Sequence, residues 1–496
     1  MSNVQYEQLR ERLGQLWDVV KLMTLAGWDQ QTMMPPEGAA VRARQMATAS
    51  KLVHDLLVSD ELGRLLDELR PYEESLEPDS DEASLIRVAR RDREKELRVP
   101  AELREEQTRA GSEAYPVWVE ARRRSDFELF RPYLERNVEL RRRYAECFEV
   151  DEPYDALLDD YEPEMKTEEV RTVFERLKEG LVPLIAEASA HEIDDSFLRG
   201  HFPVAAQKEL EQLVLARFGF REGTWRIDPT EHPFAASMGT SDIRMTSRYP
   251  EHELSGVFAA MHEGGHATYE HNVSPGLERT PLCRGASLAL HESQSRMFEN
   301  LVGRSLAFWR WGYSHVQRLF PQLAEVELED FHRAINRVQP SLIRIEADEA
   351  TYSLHIILRF ELEQELLAGS IDLRELPAIW NERMQEYLGV EVPDDARGVL
   401  QDVHWSRGGL GYFPTYALGN VISVQIWDRV LEDVPDLESR LEDGDLTALT
   451  DWLRERLWRH GRKFTPQQTL ERVVGGGIDP EPYLRYLNMK LGALMT

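Results

Sequence analysis

Apolar residues recur along this chain mostly at the 3.6-residue spacing of helices. Leu9, Leu13, Leu16 and Val20 fall at i, i+4, i+7 and i+11 and make one stripe. Leu254, Val257, Phe258 and Met261 repeat the pattern at i, i+3, i+4 and i+7, and Ala286 to Glu299 reads as a further helix. Ser125-Asp126-Phe127-Glu128 reads as a capping box opening a helix. Pro116 and Pro132 are expected to divide the long central pattern into separate helices. Thr465-Pro466 reads as N-cap followed by first helical residue, and Gly475-Gly476-Gly477 interrupts the chain before Asp479-Pro480 opens a last helix. The alternation changes only between Trp225 and Tyr249, where Trp225, Ile227, Ile243, Met245 and Tyr249 give strand character. No repeat, low-complexity tract or long linker breaks the chain. The expected fold is therefore mainly α: residues 1–496 form one large helical unit with a deep substrate cleft and a small β-sheet near the site. Helices over about 1–200 are expected to form a wall or lid of the cleft, with the metal and substrate sites between 225 and 420.

Composition narrows the classes. Acidic residues number 89 against 59 basic ones, for a net charge of -30. Phosphates would be repelled, which argues against nucleic acid as a partner. No apolar run approaches the roughly 18–20 residues needed to span a bilayer, so no membrane partner is expected. The first residues, Met1 to Glu7, lack the basic start and apolar stretch of a secretory signal. Cys147 and Cys283 are the sole cysteines, too few for a disulfide scaffold, and they fit a reducing cytoplasm.

The chemistry concentrates in His262-Glu263-Gly264-Gly265-His266. Two histidines four apart share one helix face, and their imidazoles can converge on one cation at about 2.0–2.1 Å. Glu263 lies about 100° round the helix from His262, beside the cation rather than on it, where it can take a proton from the attacking water. This is the H-E-x-x-H pattern of zinc peptidases. Gly264 and Gly265 each weaken a helix by about 0.8–1.0 kcal/mol relative to Ala, which implies close approach of another backbone or of a substrate.

A catalytic zinc centre takes three protein ligands and keeps one position open. A third histidine at the spacing of one peptidase class is absent, because Tyr269 and Asn272 stand there. His271 lies about 180° from His262 on a continuing helix and is poorly placed. A carboxylate from a second helix remains, and both Glu292 and Glu299 fit. Glu292 is preferred because it comes first and has polar neighbours, although an i,i+4 ion pair with Arg296 is a bland alternative.

Beyond this motif the chain resembles the Taq-type metallocarboxypeptidases. The resemblance runs through Asp29-Gln30-Gln31-Thr32-Met33-Met34-Pro35, His232-Pro233-Phe234, Asp242 to Thr246, and His291-Glu292-Ser293-Gln294. It continues through Ile343 to Asp348 and Gly398 to Trp405, in family order from about residue 28 to 420. It implies a mostly helical enzyme acting on peptide C-termini, usually a homodimer. It also implies Glu292 as third ligand and Glu263 as general base; the donor set suits one cation per chain, zinc or cobalt.

A carboxypeptidase must read a terminal carboxylate, and the planar guanidinium of arginine suits that. Arg344 is the candidate, its bland alternative being an ion pair with Asp348. By resemblance His232 and His404 contact the substrate. A strand edge in the 225–249 segment could pair with an extended peptide. The stretch from His404 to Tyr416 is rich in Gly and aromatics, and the resemblance implies Tyr416 as first choice of oxyanion donor and Tyr412 as second. The rival enzyme is a zinc endo-oligopeptidase with a similar helical cleft, which would not need Arg344 to read a terminus. The rival outside enzymology is an acidic helical scaffold.

Overall fold

The computed structural model describes residues 2–495. Helices dominate, beginning with the 31-residue helix Ser2–Thr32. Leu9, Leu13 and Leu16 of its stripe are buried. The next helix, Ala39–Val58, runs 20 residues without burying one.

Two expectations about the central helices are corrected. Pro116 lies inside the helix Ala101–Arg124 and Pro132 inside Phe127–Ala145, so neither proline ends a helix. Each costs its helix one N–H bond, and buried Trp118 and Leu134 nearby hold the turns in the core. The break falls at Ser125, which takes a left-handed conformation (φ 54°) and closes the first helix. Ser125 is thereby unable to cap the next one. Asp126 does so, accepting from the Leu129 N–H at 3.3 Å, and because Leu129 has no group to return the bond, a simple cap stands where the box was expected. At the C-terminal end Thr465 and Gln468 form the reciprocal cap ahead of Pro466–Val474, and Glu481–Leu494 is the last helix.

The sheet has three strands, β1 (Trp225–Pro229), β2 (Ala235–Gly239) and β3 (Asp242–Ser247). β3 is central, parallel to β1 and antiparallel to β2. Ile243 and Met245 on β3 are buried and pack toward the helix Gly256–His271. Tyr249 falls beyond the strand, its hydroxyl donating to Glu211. The first helix lies across this sheet. Trp28 sits under both Arg226 and Arg244, 4.9 and 4.4 Å from its ring, and Lys21 Nζ donates to the Ser237 carbonyl of β2 at 2.7 Å. Helices of the N-terminal half also hold the 400–408 segment. Trp118 Nε1 donates to Leu400 O, Asn137 to Trp405 O, and Arg141 to Gly408 O.

The histidine helix (Gly256–His271) crosses the glutamate helix (Leu288–Arg296) where Gly265 meets its backbone. A Cβ on Gly265 would stand 2.5 Å from Gln294 O, so only glycine permits the approach. The expected close backbone is therefore a neighbouring helix, and Gly264 faces the side chains of Leu215 and Phe218. The start of the glutamate helix is fastened by Glu162, buried, whose Oε1 accepts from the Ala289 N–H at 2.5 Å.

Burial pushes the Glu162 carboxyl up to about 8, against the lowering effect of the Ala289 N–H. Between pH 4.5 and 8 the folded chain then keeps a proton that the unfolded chain has lost, so stability falls as pH rises across that window. The slope from one such group is about 1.4 kcal/mol per pH unit. Urea denaturation of Glu162→Gln at pH 5, 6.5 and 8 is expected to lose less stability on going alkaline than the parent chain. Parallel curves for the two proteins would refute this reading.

Candidate metal centre

The histidine helix presents His262 and His266 on one face, and the glutamate helix brings Glu292 against them. Glu292 Oε2 stands 3.4 Å from His266 Nε2 and 3.6 Å from His262 Nε2. All three donor atoms lie within 4.8 Å of one another. Two donors about 2.0–2.1 Å from a tetrahedral ion are about 3.3–3.4 Å apart, so the cluster fits a single cation nearly as it stands. The side chains are 20%, 18% and 7% exposed, which leaves the histidines an open side. His271 is turned away, its Nδ1 2.7 Å from Thr240 O.

The ion-pair alternative for Glu292 is also real, on its other oxygen. Arg296 Nε donates to Oε1 at 2.8 Å, while Ser295 Oγ donates to Oε2 at 3.0 Å. Burial alone would raise the Glu292 carboxyl, but Arg296 and His262 outweigh it and hold it well below the usual range. The helix Pro414–Asp433 closes over this side chain. At Gly419 an added Cβ would stand 2.6 Å from Glu292 Cγ.

Glu299, the rival for third ligand, takes a different post. The chain widens into a π turn over Met297–Val302, and Glu299 Oε2 meets His262 Nδ1 at 2.9 Å. Arg296 and Arg304 flank it. His266 is held by a longer chain that sequence reasoning missed. Its Nδ1 lies 2.6 Å from His291 Nδ1, and His291 Nε2 lies 3.0 Å from Glu270 Oε1. With Nε2 of His266 free to ligate, its Nδ1 carries the proton and donates to His291, whose own proton then sits on Nε2 and donates to Glu270. Glu270 is four residues after His266 on the same helix, a signal the spacing held.

Glu263 is buried, and no hydrogen bond or ion pair among the described residues engages it. Burial pushes its carboxyl up to about 7, with His262 opposing and Glu292 adding to the rise.

The substrate-side candidates gather next to Glu292, with one exception. Tyr412 and Tyr416 meet at 5.3 Å between ring centres, and His404 packs against both. The charge of Glu292 contributes to raising both phenols, behind the larger effect of burial. Tyr416 lies in the first turn of the helix Pro414–Asp433, not in the loop. That loop is pinned by buried Glu363, which accepts from Tyr154 Oη, Trp405 Nε1 and Gly411 N at 2.7 to 2.9 Å. Arg344 is buried in a 3-10 turn rather than on a helix, and it does not pair with Asp348. Its Nε and Nη2 donate to Asp402 at 3.0 and 2.7 Å and its Nη1 to Tyr352 Oη at 2.8 Å. Asp348 instead accepts from the backbone N–H groups of Gln339, Ala350 and Thr351. Arg359 also binds Asp402. The exception is His232, which stands exposed on the loop between β1 and β2 with none of these contacts.

The chain is similar along nearly its whole length to known metallocarboxypeptidases. A family model described as Carboxypeptidase Taq (M32) metallopeptidase matches residues 6–491. The chain is 40% identical over 502 residues to Thermostable carboxypeptidase 1 of Thermus thermophilus, covering 99% of this chain and 98% of that protein. It is 37% identical over 495 residues to Carboxypeptidase 1 of Bacillus subtilis, with 99% and 98% covered. The crystal structure of the M32 carboxypeptidase from Deinococcus radiodurans R1 matches with a TM-score of 0.96 at 39% identity, covering 99% of each chain.

If His291 orients His266, its loss is felt in metal affinity. Outer partners of ligating histidines are worth about 10- to 100-fold in affinity. His291→Ala is expected to bind Zn²⁺ or Co²⁺ more weakly by that factor in a chelator-competition titration, and Glu270→Ala to weaken it less. Unchanged affinity in His291→Ala would rule out the orienting role.

Proposed function

The chain belongs to the carboxypeptidase Taq (M32) metallopeptidase family, and on that premise we propose that it removes C-terminal amino acids from peptides at the His262–His266–Glu292 centre. One cation per chain fits the three donors. Two imidazoles and a carboxylate suit zinc, and cobalt shares that preference. When bound, the cation supplies polarisation of the scissile carbonyl and a lowered pKa for the attacking water.

The remaining steps belong to the chain. Glu263, unengaged and held near neutrality by burial, takes the proton of the water and returns it to the leaving amine. Tyr416 donates to the developing oxyanion, with Tyr412 behind it. Arg344 binds the terminal carboxylate with His404 beside it. One observation supports this assignment above the others. Arg344 and Arg359 share a single carboxylate, Asp402, so the buried cluster keeps one net positive charge. Burial pushes His404 down to about 4, so it is neutral at pH 7 and adds no charge of its own. A terminal carboxylate completes that balance, whereas an endo-oligopeptidase would leave it open. His232, exposed ahead of β2, is assigned to the outer part of the substrate path. The N-terminal helices serve as a wall, since Lys21 and Trp28 tie the first of them to the sheet.

The same reading includes a homodimer and a cytoplasmic site of action. The helix Ala39–Val58 buries nothing and exposes Val41 and Leu52, and Leu22 on the first helix is exposed as well. Both cysteines are free thiols, as a reducing compartment keeps them. Among the described residues no helix is long and apolar enough to cross a membrane.

An N-blocked peptide and its C-terminal amide, given to the metal-loaded enzyme, test the central claim. Amidation is expected to lower kcat/KM by about 10- to 100-fold, the worth of one charge-assisted pair. Equal rates would favour the endo-oligopeptidase. In the same assay Glu263→Gln is expected to keep its metal and lose about 10²- to 10⁴-fold in kcat; full activity would remove Glu263 as the base. Light scattering is expected to give twice the 57.4 kDa of one chain, and a single-chain mass would refute the dimer.

A further inference from the structure

Arg284 differs from the other arginines around the centre. Arg296, Arg344 and Arg359 each have a carboxylate partner, Arg344 and Arg359 sharing one, but no hydrogen bond or ion pair among the described residues engages the Arg284 guanidinium. Its side chain is exposed, while Cys283 before it and Ala286 shortly after are buried. Protein nonetheless surrounds it: desolvation pushes its pKa down to about 10, with Arg462 contributing, a shift that an arginine on an open surface would not undergo. Arg284 therefore reaches solvent from a concave part of the surface.

The acids within its electrostatic reach are already taken. Asp92 is held by Arg462 through two contacts of 2.6 and 2.7 Å. Glu270 is engaged by His291, and the neighbouring cation Arg91 is matched by Asp159. The positive charge on Arg284 is left without a partner in a chain of net charge -30.

This concave surface adjoins the metal centre. Gly285 lies against His291, where an added Cβ would be 2.8 Å from its Cδ2, and His291 holds His266. Arg284 is thus on the His266 flank, whereas Arg344, Tyr412 and Tyr416 gather on the Glu292 flank. On the carboxypeptidase reading, with the peptide C-terminus at Arg344, the His266 flank is the side left for the residues upstream of the scissile bond.

We propose that Arg284 forms a subsite for the acidic side chain of an Asp or Glu residue upstream of the scissile bond. The proposal rests on the carboxypeptidase reading and on the direction that Arg344 gives the substrate. Arginine on a concave surface binds carboxylates through paired N–H donors, and partial enclosure protects the attraction from salt better than an open surface does.

The test uses N-blocked peptides of identical C-terminal residue, with Glu or Gln placed one, two or three positions upstream of the cleaved bond. The kcat/KM ratio for Glu over Gln is read for the parent enzyme, Arg284→Gln and Arg284→Glu, with metal content and melting temperature measured on each. The parent is expected to favour Glu about five- to tenfold at one position, the scale of a single partly shielded ion pair. Arg284→Gln is expected to bring that ratio to about one, and Arg284→Glu to invert it. The proposal is overturned if the ratio is the same in the parent and Arg284→Glu at all three positions. It is also overturned if the substitution alters preference only for the C-terminal residue itself. Failure of the underlying reading looks different: the metal-loaded parent would cleave none of the peptides, and the subsite would fall with it.

Discussion

The divided carboxylate of Glu292 is the constraint on which the site depends. One oxygen is neutralised by Arg296 and the other faces two imidazoles. An isolated carboxylate in such surroundings would take up a proton and cease to be a ligand. Arg296 prevents this, and it also reaches Glu299, so one guanidinium steadies both the ligand and the partner of His262. The geometry follows from two glycines. Gly265 lets the histidine helix touch the backbone of the glutamate helix, and Gly419 lets a third helix close over the Glu292 side chain.

Charge is balanced in pieces rather than overall. Each ligating histidine is backed at Nδ1, one by a carboxylate directly and the other through a second imidazole. Around the centre, the two-arginine cluster at Asp402 and the unpaired Arg284 leave positive charge over. They lie on opposite flanks of the centre. A chain of net charge -30 thus leaves these cations over beside a centre whose own acids Glu270, Glu292 and Glu299 are each engaged by a histidine or an arginine.

What could be read from the sequence was what depends on spacing along one element. The histidine pair, the off-axis Glu263, the small sheet and the final capped helices all have local signatures. Glu292 and Glu299 could not be separated so easily, because seven residues bring a helix back within about 20° of the same face. Both face the centre, and only the packing of two helices shows that one meets Nε2 and the other Nδ1. His291 was part of a recognised string but had no role, since its partners His266 and Glu270 lie on another helix. The prolines misled because their local cost was judged without the tertiary packing that outweighs it. Arg344 was found, but its true partner is 58 residues away, beyond any helical spacing.

The lysine that ties the first helix to the sheet has a consequence for self-association. β2 lies at an edge, and an uncovered edge is a template for another chain's strand. Lys21 occupies the Ser237 carbonyl there, and its charge would be stranded if a foreign strand were added. Only eight lysines occur in this chain, and one of them stands at this edge, against which the first helix also packs. A peptide that docked along β2 would have to compete with that amine for the same oxygen.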